Sequence, residues 1–285
     1  MQNHTGHEGH EGHGGHEGHT GHGAHGQAGG LAVSADGFTL EVDSTILAAG
    51  PRQHVGFTVT GPDGQPVTEF VAEHEKELHF IAVRRDTAGF QHVHPVRDDK
   101  GHWHTTLDLE PGDWRFFTDI HPAGHDGTLT LGVDVAVPGA YDPRPLPEAA
   151  RTAHVDAYAV TLDGTLVPGE ASELTLTVGR DGRPVTDLEP YLAAYGHLVA
   201  LRVGDLGYLH VHPEGHPGDG VTAPGPAISF MAVAPTAGAY RLYLDFQHEG
   251  RVRTAEFTVH TAEAAPAHDE NHDEHHGHHG HHGHH

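Results

Sequence analysis

The chain contains no cysteine, which excludes a disulfide framework, a thiolate zinc ribbon and a thiol nucleophile. Its only methionines are Met1 and Met231, too few for a thioether site that selects Cu(I). Basic residues are scarce: 15 Lys and Arg stand against 40 Asp and Glu, a formal charge of -25 with histidine neutral. Such a surface repels phosphate backbones and attracts cations, so nucleic acid is excluded as an expected partner and divalent metal ions are favoured. No run of about 18 apolar residues occurs, so no membrane span is expected.

What the chain has in quantity is histidine, 34 residues of 285. Protonating all of them moves the formal charge from -25 to +9. Imidazole titrates near 6.5, so mild acid is expected both to reverse the charge and to displace bound metal.

Residues 1–29 are a low-complexity tract with His4, His7, His10, His13, His16, His19, His22 and His25, one every three residues. Nothing in it can build a core, so it reads as a disordered tail. In an extended polyproline-II conformation, with three residues per turn, the eight rings would fall in one row. Residues 262–285 form a second disordered His-rich tail, with His268, His272, His275, His276 and a run from His278 to His285 broken by Gly280 and Gly283. The glycine punctuation, the interspersed Asp269, Glu270, Asp273 and Glu274, and the matching N-terminal tract argue against an engineered tag. Residues 1–26 lack the apolar region of a secretory signal. The expectation is therefore cytoplasmic if the chain is complete as given, and extracytoplasmic if a leader was removed.

Between the tails lies a repeat. Gly64-Gln65-Pro66-Val67-Thr68 matches Gly182-Arg183-Pro184-Val185-Thr186, and the same offset runs without a gap to His92-Val93-His94-Pro95 against His210-Val211-His212-Pro213. Further on, Trp114–Asp119 matches Tyr240–Asp245. Two copies of one domain follow, 30–140 and 150–261, joined by a Pro-rich linker at 141–149. Each copy reads as all-β. Segments 54–60 and 172–178 alternate with period two, and turn signals such as Pro62-Asp63-Gly64 and Arg180-Asp181-Gly182 separate such runs. About seven short strands in roughly 110 residues predict an immunoglobulin-like β-sandwich for each copy. One short helical turn each is expected over 71–77 and 189–195.

The chemistry concentrates in one hairpin per copy. With Gly204-Asp205 as a two-residue turn, counting outward sets His197 opposite His212, and the same count sets His79 opposite His94. His210 and His92 lie two residues along on the same face. Three imidazoles thus converge on each hairpin, a donor set suited to copper or zinc, with nickel also possible. A fourth ligand is sought in His121 and His248, with His102, His104 and His125 as extra candidates in the first copy; Ile228 and Phe230 stand near the positions of His102 and His104 in the second. Asp119 and Asp245 are candidates to orient a ligand imidazole. Against this stands the blander reading, in which the histidines are packing residues inherited with the duplication.

The stretch Pro190–Arg202, the His210-Val211-His212-Pro213 motif and Tyr240–His248 resemble the exported, presumed heavy-metal-binding proteins of actinobacteria with YtkA-like β-sandwich domains. The resemblance covers most of 150–260 and, more weakly, 30–140. It implies an extracytoplasmic location.

Three functions are open at this point. The first is a transition-metal-binding protein that sequesters, buffers or delivers copper or zinc. The second is a metalloenzyme, since His-Val-His on a sandwich strand is similar to copper–zinc superoxide dismutase; the dismutase's other ligands and disulfide are missing, as is the glutamate a cupin requires. The third is an interaction protein with solubilising tails.

Overall fold

The computed structural model describes residues 28–209 and 211–262. The first repeat runs β1 (Ser34–Ala35), β2 (Phe38–Val42), β3 (Gly50–Thr60), β4 (Leu78–Arg84), β5 (Gln91–Val93), β6 (Val96–Arg97), β7 (His102–Leu109), β8 (Gly112–Ile120) and β9 (Leu129–Val137). The second runs β10 (Thr152–Val155), β11 (Tyr158–Asp163), β12 (Ala171–Arg180), β13 (Arg183–Pro184), β14 (His197–Arg202), β15 (Tyr208–Leu209), β16 (Val211–Pro213), β17 (Ala227–Val233), β18 (Ala239–His248) and β19 (Arg251–His260). Each repeat is an immunoglobulin-like sandwich of two sheets. The outer sheets have the order β1-β2-β3-β7-β6 and β10-β11-β12-β17-β16; the inner sheets have β5-β4-β8-β9 and β15-β14-β18-β19.

The alternating segments form the strands expected of them. Val55, Phe57 and Val59 of β3, and Leu174, Leu176 and Val178 of β12, point into the two cores while their neighbours face outward. Strand counts exceed seven because the chain changes sheets partway: β5 pairs with β4 in the inner sheet, whereas β6 pairs with β7 in the outer one. β15 and β16 divide in the same way.

The two short helical turns are not formed. At Glu73–Lys76 and Tyr191–Ala194 the chain makes a tight turn closed by reciprocal backbone hydrogen bonds. The central pairs His74-Glu75 and Leu192-Ala193 are left-handed, with φ of 49° and 65°, and 54° and 57°. Two consecutive left-handed residues make the turn that matches strand twist, and a helix cannot pass through it.

Strands β4 and β14 are buried on both faces. Leu78, Phe80 and Ala82 enter the first core, but Ile81 and Val83 belong to another cluster with Phe117, Val199, Leu201, Leu206, Tyr208 and Tyr243. That cluster draws on both repeats: the inner sheets pack against each other. Phe90 stacks on Tyr243 with ring centres 4.0 Å apart, and the Tyr243 hydroxyl donates to the Thr87 carbonyl at 2.7 Å. An apolar face of this kind, removed from water on both sides, docks the repeats through the hydrophobic effect.

Candidate metal centre

The strand period that sends Ile81, Val83, Val199 and Leu201 into the inter-repeat face sends His79 and His197 there too, at the ends of the same rows. Both are buried, each 7% exposed. They meet at a cavity of about 100 Å³ whose walls include Glu73, His74, Asp119 and His92.

The β4–β5 register pairs Phe80 with Val93 and Ile81 with His92, and one step further carries His79 to His94. Three ring nitrogens come together. His79 Nδ1 lies 3.1 Å from His92 Nε2 and 3.2 Å from His94 Nε2. For metal–nitrogen bonds of 2.0–2.1 Å, the edge of a tetrahedron is about 3.3 Å, and rings radiating from one ion have centres about 5.2 Å apart. The three ring-centre separations are 5.3, 5.0 and 4.9 Å.

The outer nitrogens of two of these rings are committed to protein acceptors. His79 Nε2 donates to the Glu73 carbonyl at 3.0 Å, which leaves a lone pair on Nδ1. His92 Nδ1 donates to Asp245 Oδ2 at 2.9 Å, which leaves a lone pair on Nε2. Two lone pairs therefore face each other at 3.1 Å, and a proton or a metal ion has to lie between them. Burial disfavours the proton: with the like charge of His92 as the next cause, it lowers His79 to about 3 and His94 to about 2. Convergent imidazole lone pairs, of which those on His79 and His94 resist protonation, are a donor set for an imidazole-preferring divalent cation.

Asp245 lies in the second repeat, so the orientation of His92 is fixed across the inter-repeat face. Thr254 Oγ1 donates to the other Asp245 oxygen at 2.6 Å and holds the carboxylate in place. Asp119 occupies the corresponding place in the first repeat, opposite His79 as Asp245 is opposite His197. Burial raises Asp119 to about 6, with a hydrogen bond from Thr130 working against that shift.

The trio comes from the first hairpin, and the two hairpins face each other across the cavity. From the second repeat His197 stands behind the trio, its ring centre 6.2 Å from His79 and 6.3 Å from His92. Its Nε2 donates to the Tyr191 carbonyl at 2.8 Å, as His79 does to Glu73, so its Nδ1 carries the lone pair. Burial, the largest cause, lowers it to about 4. His212 borders the cavity at its exposed rim, because the chain has already crossed to the outer sheet, where His212 pairs with Met231. His210 lies outside the described residues, as do both His-rich tails.

Neither candidate for the fourth ligand reaches the trio with a ring nitrogen to spare. His121 bonds Glu73 Oε1 at 2.9 Å and the His125 carbonyl at 3.2 Å. His248 is a buried packing residue bonded to the Tyr158 hydroxyl at 2.7 Å and to Asp187 Oδ1 at 3.1 Å. Sequence reasoning passed over His74, whose ring lies edge-on to His197 at 5.1 Å. The signal was present: His74 is a left-handed turn residue aligned with Leu192, an exposed place for an imidazole unless the turn is covered.

Residues 32–137 and 153–263 each match a family model described as a domain of unknown function (DUF8832). No curated protein matches the chain. Among solved structures it is similar to the Escherichia coli adhesin FdeC, at 16% identity and a TM-score of 0.25, over 81% of this chain and 66% of that one, just under two thirds of its length. It is also similar to domains 5-6 of the S-layer protein SbsC, at 14% identity and a TM-score of 0.23, over 79% of this chain and 98% of that one. A third is the D0-D1 domain of intimin, at 14% identity and a TM-score of 0.21, over 78% of this chain and 97% of that one. Likeness at this level carries no argument about function.

Proposed function

This chain belongs to the DUF8832 family, with one copy of the domain in each repeat, and from its own side chains we propose that it is a transition-metal-binding protein. Its cargo is Cu(II) or Zn(II), with Ni(II) a weaker fit, and its role is sequestration, buffering or delivery. The observation that carries this reading is the 3.1 Å approach of two imidazole lone pairs, each fixed by a hydrogen bond on its far side. His94 completes the trio, and His197 is the nearest donor for a fourth position. Within this reading the two tails, rich in histidine by composition, exchange ions readily and raise their local concentration near the buried centre. The burial of His79, with His92 and His94 half-buried beside it, sets the centre apart as the slow, tight site.

The test is a chelator challenge on the full chain. Protein loaded with Zn(II) or Cu(II) is dialysed against a chelator strong enough to strip isolated imidazoles, and retained metal is counted. One ion per chain is expected for the native protein and none for His79→Gln/His92→Gln. Equal retention by both proteins, or none by either, contradicts the reading.

A further inference from the structure

The outward face of the first repeat's outer sheet carries a second histidine cluster, separate from the inter-repeat centre and formed by other strands. The register pairs Thr58 with His102, Gly56 with His104 and His54 with Thr106, so His54, His102 and His104 share one face of neighbouring strands. The ring centres of His102 and His104 are 4.4 Å apart, and that of His54 is 5.5 Å from His104.

One carboxylate fixes the state of this cluster. His102 Nε2 lies 2.9 and 3.1 Å from the two oxygens of Asp43, so it carries the proton, and the lone pair sits on Nδ1. That nitrogen is 3.2 Å from His104 Nε2, and one ligand atom from each of Asp98, His102 and His104 lies within 4.8 Å of the other two. Carboxylate, imidazole and open face together are the arrangement by which proteins orient a metal-binding histidine. The backbone makes room for it: a Cβ at position 56 would collide with the Asp43 carboxylate and lie 3.0 Å from His102 Cε1. Glycine at this position leaves room for the Asp43–His102 contact. His104 Nδ1 is buried with no hydrogen-bond partner, so the ring is placed at a polar cost that no contact within the protein offsets.

We propose that His102 Nδ1, His104 Nε2 and Asp98 form a second, solvent-facing metal site for Cu(II), with Asp43 as the positioning residue. Two nitrogens, one carboxylate oxygen and positions open to water suit a tetragonal Cu(II) site better than a closed tetrahedral one. The site belongs to the first repeat alone. In the second, Trp103 is matched by Ile228, each facing the core across from Phe57 and Leu176, so Ala227 and Ser229 stand where His102 and His104 do. Ile228 and Phe230, expected near those positions, are core residues displaced by one step.

The experiment is copper-catalysed oxidation mapping on the full chain. Cu(II) and ascorbate oxidise histidines that hold the ion, and mass spectrometry reads each position. At one Cu(II) per chain added over the amount the inter-repeat centre takes, His102 and His104 are expected to oxidise several-fold more than exposed His216. Asp43→Ala should bring them down to the level of His216 while His79 and His92 keep their own pattern. Running the same map on His79→Gln/His92→Gln separates the two sites: His102 and His104 oxidation persists there if this site stands by itself. Oxidation of His102 and His104 no greater than that of His216, or unchanged by Asp43→Ala, overturns the proposal.

Discussion

Taking the metal-free protein from pH 7 to pH 5 asks whether His79 and His197 are held as neutral bases inside the inter-repeat face. In the unfolded chain each gains a proton near 6.5. In the folded protein burial holds them at about 3 and about 4, so at pH 5 the unfolded state binds protons that the folded state refuses. Stability from this source is complete above about 6.5 and drains away as the pH falls toward the folded values, at about 2 kcal/mol per histidine by pH 5. Asp119 acts in the other direction. Raised to about 6, it takes up a proton in the folded state first and returns about 1 kcal/mol. The net loss from these three groups is about 3 kcal/mol, or about 6–12 °C in melting temperature for a cooperative unit of this size, and His94, also lowered by burial, adds to it in the same direction. Histidines exposed in both states add nothing. Calorimetry at both pH values on chelator-treated native protein and on His79→Gln/His197→Gln reads the effect, and the variant should lose several degrees less. An identical loss in the two proteins would refute the reasoning.

Asp245→Asn leaves every candidate ligand in place but removes the carboxylate that orients His92; metal affinity in competition with a chromophoric chelator should fall about 10–100-fold. Tyr243→Ala deletes the stack on Phe90 and the bond to Thr87. It should cost about 3–5 kcal/mol in denaturant unfolding, and metal retention should fall with it as the second repeat withdraws Asp245 and His197. His248→Gln disturbs bonds to Tyr158 and Asp187, for a loss of about 1–3 kcal/mol, yet retained metal should stay at the native level.

The sandwich class and the hairpin register were legible because alternation and turn residues act locally: counting out from Gly204-Asp205 gives the Ala200–Leu209 and Leu201–Tyr208 pairs that are found. The docking of the inner sheets was written less openly. The unbroken apolar run Phe80-Ile81-Ala82-Val83 marks a strand covered on both faces, but its second cover is a partner more than a hundred residues away that no local pattern names. The sequence therefore did not reveal that Asp245, the carboxylate that orients His92, reaches it from across that face. The one-step error at Ile228 arose in the connection that follows: Trp103 lies 11 residues before Trp114, whereas its counterpart Ile228 lies 12 before Tyr240, so counting back from the Trp114/Tyr240 match slips by one. In a strand one residue exchanges core for surface.

The most direct test of the central claim is anomalous diffraction from crystals of the full chain loaded with Zn(II) and washed with chelator. The account predicts a peak about 2 Å from His79 Nδ1, His92 Nε2 and His94 Nε2, with Asp245 still bonded to His92. Anomalous density confined to other residues, with His79 and His92 sharing a proton at the same spacing, would contradict it.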